Sequence, residues 1–120
     1  MAVLDSPIEL NNLSQPQPDI ALLRRREDYY ESGHPQPPDI FLLVEIADTT
    51  IDSDRDIKIP LYGKNRILET WLIDINEQSL AVYRTPNSQG YQNSQKLRRG
   101  QSITTLIFPE IAIEVNEILG

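Results

Sequence analysis

Short apolar runs along the chain are separated by polar, proline-marked connectors, and their spacing predicts the elements. The clearest run is Ile40-Phe41-Leu42-Leu43-Val44-Glu45-Ile46-Ala47, of strand length and apolar at nearly every position, which predicts a buried strand. Ile20-Ala21-Leu22-Leu23 predicts a shorter one upstream. Before it, the stretch to Gln17 is rich in Asn, Ser and Pro, and predicts a weak strand at Pro7-Ile8-Glu9-Leu10 followed by a loop. The charged Arg24-Arg25-Arg26-Glu27-Asp28, then Tyr29-Tyr30, reads as a solvated loop or short helix. From Ser32 to Asp39, three prolines and a glycine forbid regular structure and form a rigid connector into the strand that carries Glu45.

Asp52-Ser53-Asp54 supplies cap candidates for a helix from about Asp54 to Asn65, with Ile57 and Leu61 on one face. Pro60 either kinks that helix or confines its regular part to one side. Glu69 to Ile75 predicts the next strand, and Leu80 to Arg84 its hairpin partner, with Leu80, Val82 and Arg84 alternating against Ala81 and Tyr83. Thr85 to Gly90 reads as a turn, Tyr91 to Leu97 as a polar edge strand, Ile103 to Phe108 as a short strand and Ile113 to Leu119 as a terminal helix. Strand, strand, helix, strand and a β-rich tail together predict an α/β fold, a mixed β-sheet with a helix packed on it. At 120 residues the expectation is one domain over residues 1–120.

Composition narrows the function. Eleven basic against 18 acidic residues give a net charge of −7, so no global positive field draws the chain onto nucleic acid or anionic lipid; a polyanion must meet a local patch. Absence of cysteine excludes disulfides, thiolate metal sites and cysteine nucleophiles, and suits a reducing cytoplasm. No apolar stretch approaches the roughly 20 residues that span a bilayer, so the expected location is cytoplasmic with no membrane partner.

Glu45 is the polar exception in its strand, and an ionised carboxylate buried alone there is expensive. A divalent cation such as Mg²⁺ takes one or two protein carboxylates and completes an octahedron with water and phosphate oxygens. Asp19, after Pro18 at the entry to Ile20–Leu23, supplies a second carboxylate 26 positions earlier on a neighbouring predicted strand. Lys58, reaching from the helix, is the candidate to orient an attacking water and offset charge growing on phosphorus.

These features form an ordered set: Gln15-Pro16-Gln17-Pro18-Asp19-Ile20-Ala21-Leu22-Leu23, His34-Pro35 with Asp39, Leu43-Val44-Glu45-Ile46-Ala47-Asp48, Asp54-Arg55 with Lys58, Leu61-Tyr62, and Glu69-Thr70-Trp71-Leu72-Ile73-Asp74. In that order they resemble the Uma family of restriction endonucleases within the PD-(D/E)xK nuclease superfamily, a group widespread in cyanobacteria. The resemblance implies a restriction-endonuclease-like mixed β-sheet flanked by helices and Mg²⁺-dependent (or Mn²⁺-dependent) cleavage of DNA. It also implies Asp19 and Glu45 as metal ligands and catalytic residues, and Lys58 as a catalytic lysine moved from the strand to the helix. Family members usually carry a further N-terminal helix and strands before the segment matching Ser6–Leu10, so the chain reads as N-terminally truncated, with exposed sheet edges or a homodimer as consequences. Arg66 and Leu68 stand where the family tends to show Gly and Pro, which leaves Asn65 to supply a left-handed helix cap.

Plainer readings stand beside each of these. Asp19 alone is an ordinary turn residue, Glu45 has Arg55 or Lys64 as structural partners, and Lys58 alone is a solvated surface lysine. His34, the single histidine, lies in a proline-rich loop and is left off the site. Trp71 and Tyr62 read as core-filling aromatics, with base stacking second. Arg24-Arg25-Arg26 and Lys96-Leu97-Arg98-Arg99 read as solvated faces before phosphate contacts, and the aspartates from Asp48 to Asp56 lack the glycine and terminal glutamate of a calcium loop. The alternative to a nuclease is a degenerate, non-catalytic fragment acting as an interaction or DNA-binding module.

Overall fold

The computed structural model describes residues 2–4, 8–10, 18–25, 28, 33–48 and 51–120. Six strands form one mixed sheet in chain order: β1 (Ala2–Leu4), β2 (Ile20–Leu23), β3 (Ile40–Ala47), β4 (Glu69–Asp74), β5 (Ser79–Asn87) and β6 (Gly90–Arg98). Every neighbouring pair is antiparallel except β3 and β4, which run parallel. A parallel pair needs a crossover, and residues 51–64 provide it as one helical passage. Its parts are α1 (Ile51–Ser53), a π-helical stretch (Asp54–Lys58) and α2 (Ile59–Lys64). A two-stranded ribbon of β7 (Ser102–Ile103) with β8 (Ile113–Glu114), then α3 (Val115–Leu119), completes the chain.

Strand alternation sorts the apolar residues into two cores. On one face, Ala21, Leu23, Leu43, Ala47 and Leu72 pack with Ile59, Tyr62 and Ile67 of the crossover and with Ile8 and Leu10. On the other, Leu42, Val44, Trp71, Ile73, Leu80, Val82 and Leu97 pack under Ile103 and Val115, with Ile118 and Leu119 of α3 against them. The sheet is thus covered on both sides, which accounts for the apolar run of β3: alternate residues enter different cores.

Several elements differ from the sequence expectation. Ile8 to Leu10 is buried but not a strand; it is held by the Glu9 amide donating to the Pro35 carbonyl (2.7 Å). Pro7 lies outside the described residues, as do Gln15 to Gln17, Arg26, Glu27, Tyr29, Tyr30 and Ser32 of the other expected segments. The proline-rich connector contains one turn of 3₁₀ helix, Pro37–Asp39, capped by Asp39, whose carboxylate accepts the Gln36 amide (3.1 Å) and pairs with Arg24 (2.7 Å). The helix begins at Ile51, earlier than expected, and the π stretch turns Ile57 outward, leaving it 64% exposed, while Ile59 and Tyr62 take the core. Pro60 has no amide to donate, and the chain widens just before it.

The expected turn from Thr85 is strand as far as Asn87; the strand keeps its register past Thr85 (φ +61°) and closes through Ser88 and Gln89. Strand pairing after Ile103 stops at once, because the next backbone groups have other partners: the Leu106 amide donates to Glu69 Oε1 (2.9 Å) and the Phe108 amide to Thr105 Oγ1 (3.0 Å). The predicted terminal helix is a strand residue pair followed by a shorter helix.

Two details fix the crossover. At its C-terminus Arg66, not Asn65, adopts the left-handed conformation (φ +64°), with the Arg66 amide bonded to Gly63 O (3.0 Å) and the Ile67 amide to Tyr62 O (3.1 Å). This is a Schellman closure in which a non-glycine residue takes the position glycine favours. Gly63 lies directly on the β5–β6 turn: a Cβ there would stand 2.7 Å from Gly90 Cα and still nearer to its carbonyl group. The helix therefore sits on the hairpin backbone with no side chain between.

Candidate functional site

Glu45 points into the crossover-side core between Leu43 and Ala47, and is 1% exposed. Among its partners are two side chains one helical turn apart, Lys58 and Tyr62, a spacing that puts both on the same helix face. The Tyr62 hydroxyl donates to Glu45 Oε1 at 2.6 Å, and the Lys58 ammonium approaches Oε2 at 3.5 Å. Tyr62 is fully buried, whereas the Lys58 side chain is 37% exposed. Arg55 and Lys64, the structural partners considered for Glu45, are elsewhere: Arg55 pairs with Asp52 and Asp56, and Lys64 is exposed.

Asp19 immediately precedes β2, whose Ile20 lies opposite Val44. Directly opposed residues of antiparallel strands share a face, so Asp19 falls beside Glu45 on the side of Ala21 and Leu23. Its Oδ2 accepts the Ile46 amide at 2.6 Å, extending the β2–β3 ladder by one side-chain bond. Asp19 is exposed where Glu45 is buried. Backbone register therefore brings the two predicted carboxylates to one end of the sheet, and the crossover brings Lys58 to the same place.

This donor set suits a hard divalent cation. Both candidate ligands are carboxylates on adjacent strands, and Mg²⁺ asks for only one or two such groups. Among the described residues, no cluster of three or more His, Cys, Asp or Glu forms a closed cage. A cation held by these two carboxylates would have positions left for water and a phosphate oxygen.

The remaining sequence candidates lie outside this cluster. His34 is exposed in the connector. Trp71 faces the opposite core, where its indole donates to Glu69 Oε2 (2.9 Å). Lys96 and Arg98 are clamped by Glu77 at 2.8 and 3.0 Å, and Arg99 donates to Gln78 and to the Gly120 carbonyl. These cations hold Glu77 down to about 2, first through the Lys96 and then the Arg98 hydrogen bond. The C-terminal basic run is thus spent on intramolecular partners, and Arg24 is paired with Asp39.

The sequence reading missed two polar roles. Tyr62 fills core as expected, but its hydroxyl also donates to Glu45; its spacing from Lys58 was the available signal. Glu69, fully buried on the far face, accepts from Trp71, from Arg84 Nε (2.8 Å) and from the Leu106 amide, while Arg84 also donates to the Thr104 carbonyl. On the Glu45 face, Tyr91 bonds Thr70 (2.6 Å) and tilts against Tyr83 at 5.9 Å; burial pushes both phenols up.

Among the described residues no helix is long and apolar enough to cross a membrane. The fold is similar to that of a protein from Anabaena variabilis ATCC 29413 whose crystal structure is described as "a putative nuclease belonging to DUF820" (TM-score 0.60, 20% identity). The likeness covers 88% of this chain and 60% of that one, so the chain spans less than two thirds of its structural neighbour. No curated protein matches. The family model described as "Uma2: Putative restriction endonuclease" matches residues 1–116, and the chain belongs to that family.

Proposed function

We propose that this chain is a divalent-cation-dependent endonuclease that hydrolyses DNA phosphodiester bonds. The observation that carries the reading is Glu45: a carboxylate 1% exposed, beside an ammonium on a part-exposed stem, with Asp19 in register on the next strand. Burial of a carboxylate disfavours its charge unless cations compensate, and a site shared by Lys58 and a metal ion supplies them. In this reading Asp19 and Glu45 hold Mg²⁺ or Mn²⁺. When bound, the cation withdraws charge from the scissile phosphate and favours ionisation of the attacking water.

The chain's own groups do the rest. The Ile46 amide holds Asp19 at the mouth of the site, and Tyr62 fixes Glu45 behind it. Lys58, long and part-exposed, donates to the attacking water and to a non-bridging phosphate oxygen, offsetting charge as the water oxygen bonds to phosphorus and the ester oxygen departs. The partner is DNA, as the family description suggests, and recognition is local because the overall charge is negative.

Plasmid nicking in Mg²⁺ or Mn²⁺ tests this with wild type, Asp19→Asn, Glu45→Gln and Lys58→Ala. Activity should fall by about 100-fold or more in each variant, the usual scale for removing a charge-stabilising group. Equal nicking by all four proteins would defeat the assignment.

A further inference from the structure

β6 (Gly90–Arg98) is the last strand of the sheet. Among the described residues it pairs with β5 alone, so one side of a nine-residue strand presents backbone amides and carbonyls with no strand beyond them. Folded proteins blunt such an edge with proline, a bulge, a very short strand or charged side chains that repel a newcomer. β6 uses none of these. It contains no proline, it keeps one register with β5 from Arg98 to Gly90, and Gln92 to Lys96 are exposed. Its two cations are already engaged: Glu77 holds Lys96 through both carboxylate oxygens (2.8 Å) and Arg98 through one (3.0 Å).

The strand is also fit to pair with itself. A two-fold axis normal to the sheet sets one residue opposite its own copy, and Ser94 is the midpoint of β6. With the axis there, Asn93 lies across from the copy's Gln95, Gln92 from its Lys96 and Gly90 from its Arg98, so no like charges meet. The net charge of −7 opposes self-association, but β6 carries no acidic residue. An acidic strand from another protein would find Lys96 and Arg98 taken by Glu77, whereas self-pairing asks nothing of them.

We propose that two copies of this chain pair antiparallel through β6, with the two-fold axis at Ser94, and so join their six-stranded sheets into one. The pairing supplies about eight main-chain hydrogen bonds. It closes on itself, because each copy's β6 edge is used once. Little side-chain area is buried, which makes the dimer reversible and concentration-dependent rather than obligate. The contact is independent of the candidate cation site, since Glu45 lies three strands away on β3.

Sedimentation equilibrium from about 1 μM to 1 mM tests this with wild type, Ser94→Lys, Ser94→Glu and an equal mixture of the two variants. Wild type should pass from monomer to dimer within that range. Each variant alone sets like charges opposite one another and should dimerise about tenfold or more weakly. The mixture sets an ammonium against a carboxylate and should recover at least the wild-type affinity. A wild type that stays monomeric, variants that dimerise as wild type does, or a mixture no better than its components would each overturn the proposal. Amide hydrogen exchange on wild type needs no folded variant: Gly90 to Arg98 should gain protection as concentration rises, and dimerisation without that protection overturns the pairing through β6.

Discussion

Gly63→Ala sets two effects of known sign against each other. In an open helix this change stabilises by about 0.5–1 kcal/mol, because alanine loses less backbone entropy. Here the new methyl meets backbone: Gly90 Cα at 2.7 Å, with the Gly90 carbonyl group closer still. Backbone cannot rotate aside as a side chain does, so α2 and the β5–β6 turn must separate by most of an ångström, and overpacking of that kind costs about 1–3 kcal/mol or more. The clash outweighs the helix gain, for a net loss of about 2 kcal/mol and a fall in Tm of about 8 °C for a domain of this size. Gly33→Ala is the internal control, since a Cβ there meets nothing within 4 Å. Thermal unfolding followed by circular dichroism decides it. If Gly63→Ala melts at or above the wild-type temperature, the close approach of helix and hairpin is wrong.

Arg66→Gly should raise stability by about 1 kcal/mol in urea unfolding, because Arg66 adopts φ +64° at a helix end that favours glycine; a loss would count against the Schellman closure. Arg84→Met should cost about 3–5 kcal/mol by the same assay, since it strands the fully buried Glu69 carboxylate, and a near-neutral result would refute the Arg84–Glu69 pairing. The Glu77 carboxyl is held down from its ordinary 4.5 to about 2, so the stabilisation from its pairing with Lys96 and Arg98 is complete above pH 4.5 and lost as pH falls towards 2. The stability difference between wild type and Glu77→Gln should therefore shrink across that window and in high salt. A difference constant from pH 6 to pH 2 would refute the clamp.

Elements whose evidence is local were legible in the sequence. Ile20–Leu23 and Ile40–Ala47 appear at the expected positions because an apolar run bounded by proline or charge has few alternatives. Glu45 was legible for the same reason, as the one charge in such a run. What escaped depends on long-range partners. Nothing near Ile103 to Phe108 in sequence says that the Leu106 amide will be taken by Glu69, 37 positions earlier, and that this contact will replace a strand ladder. The outward turn of Ile57 depends on a π stretch that shifts helix phase ahead of Pro60, which a regular periodicity count cannot register. At the helix end, the same kind of reasoning chose Asn65 for the left-handed position on propensity, whereas chain geometry placed Arg66 there.

The two glutamates that are fully buried among the described residues show why burial alone does not mark a site. Glu69 and Glu45 sit on opposite faces of the sheet with nearly equal exposure, at 0% and 1%. Glu69 is closed in: an indole, a guanidinium and a backbone amide converge on it, the guanidinium is itself tied to the Thr104 carbonyl, and Leu106 crosses over the top. A ligand could reach it only by dismantling those bonds, so its charge is spent on joining β4, β5 and the segment before β8. Glu45 has a rigid donor behind it and a lysine in front whose contact is long and whose stem reaches solvent, beside the exposed carboxylate of Asp19. Such a carboxylate lies at the border of core and solvent, where the proposed cation would meet it. That difference in how the surrounding donors are fixed, and not the burial the two share, is why we propose the chemistry at Glu45 and a structural role for Glu69.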